Sequence, residues 1–121
     1  MTAEDKLQAA CVKWFRLQYP NYTLFAIPNG GNRNAITGAM LKKTGTLAGV
    51  ADLFLMKSKI VSKFDYYHVQ SHGLFIEMKV GKNIQTASQK KFQERAEYEG
   101  YKYVICRSFD EFKNTIENYL Q

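Results

Sequence analysis

Two acids and a lysine, Asp52 and the run Glu77-Met78-Lys79, are the residues of this chain whose types and spacing could do chemistry. Hydrolysis of a phosphodiester needs the phosphate charge neutralised, a water activated and the leaving oxygen stabilised, and Mg²⁺ or Mn²⁺ held by carboxylates can meet all three needs. Mg²⁺ takes oxygen ligands and keeps some of its waters, so a few acids and a backbone carbonyl suffice. Asp52 and Glu77 are the first choices, with the Met78 carbonyl beside them. Lys79 follows Glu77 at the spacing that puts both on one face of a strand, from which it could reach the attacking water or the phosphate. Taken alone, an acid-x-Lys tripeptide is common and reads as a charged pair on an exposed strand face.

The segments around these residues give them a setting. Gly73 to Val80 reads as a short strand with Leu74, Ile76, Met78 and Val80 on one side and Phe75, Glu77 and Lys79 on the other. Gly49 to Met56 is a second apolar strand with one acid, Asp52, in its first half, where burial without a partner would be costly. Before it, Thr2-Ala3-Glu4-Asp5 has capping-box spacing and opens an amphipathic helix through Leu7, Cys11, Trp14 and Gln18, up to Tyr19-Pro20. Tyr22 to Ile27 reads as a strand ended by Pro28-Asn29-Gly30-Gly31-Asn32, and a helix over about Asn34 to Lys43 stops at Gly45. The Lys- and Tyr-rich stretch from Lys57 to His72 is a hairpin arm or a loop. After the Glu77 strand, Thr86-Ala87-Ser88-Gln89 repeats the capping box and starts a helix with Phe92 and Ala96 inward, stopped at Gly100. A strand, Tyr101 to Cys106, and a helix capped by Ser108 with an apolar stripe of Phe112, Ile116 and Leu120 complete the order. The expected fold class is α/β: a single domain over residues 1–121, with a mixed sheet flanked by helices.

The 121 residues carry 17 Lys and Arg against 11 Asp and Glu, a formal charge of +6 that favours an anionic partner. No apolar run approaches the roughly 20 residues that span a bilayer, and the first residues lack the charged and apolar regions of a signal peptide, so a cytoplasmic protein with no membrane contact is expected. Cys11 and Cys106 read as core residues, since neither has a second cysteine or histidine at zinc-ligand spacing. His68 and His72 lie at helical spacing, but their β-prone surroundings argue for a strand or loop and against a metal pair.

Other residues admit two readings. Glu4 lies on the stripe of Leu7, Cys11 and Trp14, where an acid is either a partner of the helix dipole or a metal ligand. Gln89 heads the stripe of Phe92 and Ala96 and also fits the capping box. Asn29-Gly30-Gly31-Asn32-Arg33 is either a turn or a backbone cradle for phosphate assisted by Arg33. Lys42, Lys43, Lys57, Lys59, Lys63, Lys82, Lys90 and Lys91 are either phosphate contacts that would position DNA without reading its sequence or, as expected for most, simply solvated, with no individual one assigned. Tyr66, Tyr67, Tyr98, Tyr101 and Tyr103 could stack on unpaired bases, with core or interface packing expected for most.

With an Asp in the preceding apolar strand, a glycine-rich approach to that Asp and a capped helix after the lysine, the chain resembles the PD-(D/E)XK nuclease superfamily. Within it the resemblance is to the VRR-NUC family, the virus-type replication-repair nucleases. The features that carry it are Glu4, Asn29-Gly30-Gly31, Gly49-Val50-Ala51-Asp52-Leu53, Glu77-Met78-Lys79 and Gln89, spread over nearly the whole chain. Ala51 stands where the superfamily name leads one to expect proline, a backbone preference without chemistry of its own. The resemblance implies a restriction-endonuclease-like core and a Mg²⁺- or Mn²⁺-dependent endonuclease. Glu4, Asp52, Glu77 and the Met78 carbonyl would hold metal, Lys79 would position or activate water, and Gln89 would face the site. It further implies structure-selective cutting of branched DNA such as four-way junctions by a homodimer. The competing expectation is a catalytically inert nucleic-acid-binding module of the same fold.

Overall fold

The computed structural model describes residues 1–28 and 35–121 of the chain. Helix α1, Ala3–Gln18, begins where Thr2 and Asp5 form the reciprocal capping box the spacing predicts, with both hydrogen bonds at 3.0 Å. It leads into β1, Leu24–Ala26, and α2, Ala35–Lys43, which is followed by Gly45 at φ +113°. Strand β2, Leu53–Leu55, is followed by β3, Lys59–Lys63, β4, Tyr66–Ser71, and β5, Leu74–Met78. Helix α3, Ala87–Tyr98, strand β6, Lys102–Cys106, and helix α4, Phe109–Tyr119, complete the chain. The observed strands are shorter than the sequence pattern predicts at β1, β2 and β5, although single backbone hydrogen bonds from Ile27 to Asp52, Met56 to Thr23 and Lys79 to Cys106 continue the pairing past their ends.

The main sheet has the order β1-β2-β5-β6, antiparallel between β1 and β2 and between β2 and β5, and parallel between β5 and β6. A parallel pair requires a crossover, and α3 supplies it. The mixed sheet flanked by helices is therefore the expected architecture. One face packs Leu53, Leu55, Leu74, Ile76 and Met78 against Cys11 and Phe15 of α1 and Phe112 and Ile116 of α4, all fully buried. Both cysteines lie in this core as free thiols. On the opposite face, Phe54 and Phe75 meet Phe92 of α3 and Tyr101 through ring contacts of 4.6 to 6.0 Å.

The 57–72 stretch forms a hairpin arm, with β3 and β4 a separate two-stranded sheet. Phe64 occupies the first position of its two-residue turn at φ +58°, a backbone conformation costly for any side chain, and is 96% exposed. The arm is tied at its base by Tyr119 Oη, which donates to the Lys57 carbonyl at 2.6 Å, and by Lys59 Nζ, which donates to the Asn118 carbonyl at 2.8 Å. It connects the end of β2 to the start of β5, so it leaves the sheet at the end opposite Asp52 and Glu77. His68 lies in β4 and His72 in the turn that follows, as a strand or loop reading requires.

Candidate active site

Asp52 and Glu77 are neighbours because β2 and β5 run antiparallel. The register pairs Leu53 with Ile76, and continuing it one residue sets Asp52 beside Glu77. Asp52 is held from both sides: its Oδ2 accepts from the Met78 N–H at 2.7 Å, and its carbonyl accepts from the Ile27 N–H at 2.8 Å. The first turn of α1 reaches the same end of the sheet and brings the half-buried Glu4. One carboxylate oxygen from each of Glu4, Asp52 and Glu77 lies within 4.8 Å of the others.

An exposed strand face for the Glu77 and Lys79 pair does not hold. Glu77 is 2% exposed and Lys79 7%, because α3 lies over this side of β5. Lys79 Nζ sits 3.8 Å from Glu77 Oε2. Gln89 does two jobs at once: its Oε1 accepts from the Thr86 N–H at 2.9 Å, closing the second capping box, and its Nε2 donates to Glu77 Oε2 at 3.1 Å. Helix capping thus fixes the rotamer that points the amide at the acid.

Burial raises the pKa of all three acids, and neighbouring charge adds to it at Glu77 and Glu4. Burial, then the charge of Asp52, pushes Glu77 up to about 8, against 4.5 for an ordinary glutamate. Burial also raises Asp52, opposed first by the Met78 N–H, and raises Glu4 with the Asp52 charge second. Among the described residues, Glu77 Oε1 is the buried side-chain oxygen to which no donor is offered. Three hard oxygen donors and an orphaned buried carboxylate oxygen together fit a metal cation.

The structure brings Glu4, Asp52, Glu77, Lys79 and Gln89 together. Met78 turns its side chain fully into the core. Asn29, Gly30, Gly31 and Arg33 lie outside the described residues. The tyrosines divide: Tyr103 is buried, Tyr101 packs on Phe54 and Phe75, and Tyr66, Tyr67 and Tyr98 are exposed, so core packing does not hold for these three. Sequence reasoning missed the Met78 N–H as the donor that orients Asp52. It also missed the contact of Gly49 with α3, for which the glycine three residues before the acid was the available signal.

The arrangement defines the class of fold, a PD-(D/E)XK-like α/β core. Among solved structures the chain matches one described as "VRR_NUC domain protein", with a TM-score of 0.74 and 24% identity, over 99% of this chain and 89% of that one. No family model matches the chain, and no curated protein matches it.

Proposed function

We propose that this chain is a metal-dependent nuclease that hydrolyses phosphodiester bonds in DNA. The observation that carries the reading is the convergence of the Glu4, Asp52 and Glu77 carboxylates beside Lys79 and Gln89, on a fold shared with a VRR_NUC domain protein. Glu4, Asp52 and Glu77, with the Met78 carbonyl, would hold Mg²⁺ or Mn²⁺, which when bound supplies charge neutralisation at the phosphate and a more acidic water. The residues do the rest. Asp52 is kept in its ligating rotamer by the Met78 N–H. Gln89 holds Glu77 by one oxygen and leaves Oε1 free to ligate. Lys79, 7% exposed, orients the attacking water or stabilises charge developing on the phosphate, an interaction strengthened where water is scarce.

The substrate we propose is branched DNA, including four-way junctions, cut by a homodimer, with Asn29, Gly30, Gly31 and Arg33 contributing phosphate contacts. A +6 domain of 14.0 kDa offers one small face to DNA, and pairing two such faces raises their effective concentration on a branched substrate. Among the described residues, no helix is long and apolar enough to cross a membrane. The test is cleavage of labelled four-way, flap and linear DNAs with and without Mn²⁺, with Glu77→Gln as control. Metal-dependent cutting lost in that variant supports the reading. Binding without cutting by the wild-type protein would replace it with an inert nucleic-acid-binding module.

A further inference from the structure

We infer that Gly49 is a positioning residue, the point at which the loop carrying Asp52 and the first turn of α3 carrying Gln89 lock together; the inference rests on the nuclease reading of this site. A Cβ built on Gly49 would lie 2.5 Å from both the backbone carbon and the carbonyl oxygen of Ser88, and 2.9 Å from its Cβ. The closest neighbours are backbone atoms of a capped helix, which no side-chain rotation can move aside. Gly49 also has φ +89°, so the position excludes a side chain on two independent grounds.

The consequence for the site follows from what each partner holds. Asp52 is joined to β5 by the Met78 N–H, and Gln89 is joined to β5 through Glu77. Those two bonds fix the loop and the helix to a common strand. The Gly49 and Ser88 contact closes the third side, setting how near α3 stands to the Asp52 loop. Restoring an ordinary contact distance after adding a methyl group requires the backbones to part by about 1 Å, a displacement able to cost on the order of 100-fold in rate when it reaches catalytic groups.

Gly45 supplies the control. It also has positive φ, at +113°, on the same connection, and a Cβ there meets nothing within 4 Å. Gly45→Ala therefore carries backbone strain alone, whereas Gly49→Ala carries strain and collision. Gly49→Asn is a second variant, because asparagine tolerates positive φ better while still presenting a Cβ. The experiment measures kcat on DNA with Mn²⁺ per folded molecule, and the side-chain amide resonances of Gln89 in metal-free protein. The expected result is a loss of kcat of about 100-fold in both Gly49 variants. The Gln89 amide resonances should shift in both, and Gly45→Ala should stay near wild type on both readings. Gly49 variants that melt earlier yet keep kcat and the Gln89 resonances would overturn the inference and leave Gly49 a purely structural residue. Wild-type protein that cleaves no DNA would sink the nuclease reading instead, while the Gln89 resonances, which need no substrate, would still report on the lock.

Discussion

Glu77→Gln should make the metal-free protein more stable at neutral pH while ending its activity. Burial and the Asp52 charge hold the Glu77 carboxyl protonated up to about pH 8 in the folded protein, against 4.5 for an ordinary glutamate. Between those values the unfolded chain releases a proton that the native protein keeps, so stability present in full below 4.5 is lost as pH rises through about 8. At 1.36 kcal/mol per unit, the whole shift corresponds to about 5 kcal/mol, and integrating from pH 5.5 to 7.5 gives a loss of about 2–3 kcal/mol. A glutamine resembles the protonated acid: it still offers Gln89 an acceptor, its amide can donate to Asp52, and it does not titrate. Urea unfolding in chelator at pH 5.5, 6.5 and 7.5, taken as wild type minus variant, cancels the other titrating groups. The difference should move against the wild type by about 1 kcal/mol per pH unit. Mn²⁺ at about 100 times its dissociation constant should return about 2.7 kcal/mol to the wild type at pH 7.5 and much less to the variant. A difference flat across this range would refute the claim that Glu77 is buried among like charges.

Lys79→Ala should lower kcat by about 100-fold or more with DNA affinity near wild type, read by single-turnover cleavage; activity within severalfold of wild type removes the lysine from the chemistry. Asp52→Asn should abolish the calorimetric signature of Mn²⁺ binding, and unchanged affinity would move the metal site elsewhere. Glu4→Gln should cut turnover strongly with little change in melting temperature. The reverse pattern would return Glu4 to its role as a helix-dipole partner. DNA binding should weaken steeply with added salt, and light scattering at micromolar concentration should report about twice the 14.0 kDa chain mass; a monomer that still nicks junctions would rule out paired cutting by a preformed dimer.

The parts of this molecule legible in sequence are those governed by local rules. Capping boxes at Thr2 and Thr86 marked two helix starts to the residue, and strand parity put Glu77 of β5 and Lys79, just past its end, on one side. Glycine stops marked the ends of α2 and α3, with Gly45 and Gly100 both at positive φ. The arm over β3 and β4 stayed ambiguous because its residues alternate without one clear apolar side, and only pairing resolves such a segment.

What the sequence could not supply is set by contacts between distant segments. Parity assigns Glu77 to a face but says nothing of what covers that face, and the covering group is a capped helix whose Gln89 reaches back to the acid. Burial, and with it the raised pKa, therefore appears only once α3 is folded onto the sheet. Ala51 makes the same point from the other direction. It is fully buried, and the chain around it is fixed without a proline ring: Asp52 accepts one hydrogen bond from Ile27, just past β1, and one from β5, and Gly49 packs directly on Ser88. Two strands and a helix that meet at this loop leave the acid little freedom to adopt another orientation. A motif read letter by letter treats the missing proline as a defect. The restraint a proline would impose on one torsion is here distributed over three tertiary contacts, so the orientation of the acid does not depend on that letter of the motif.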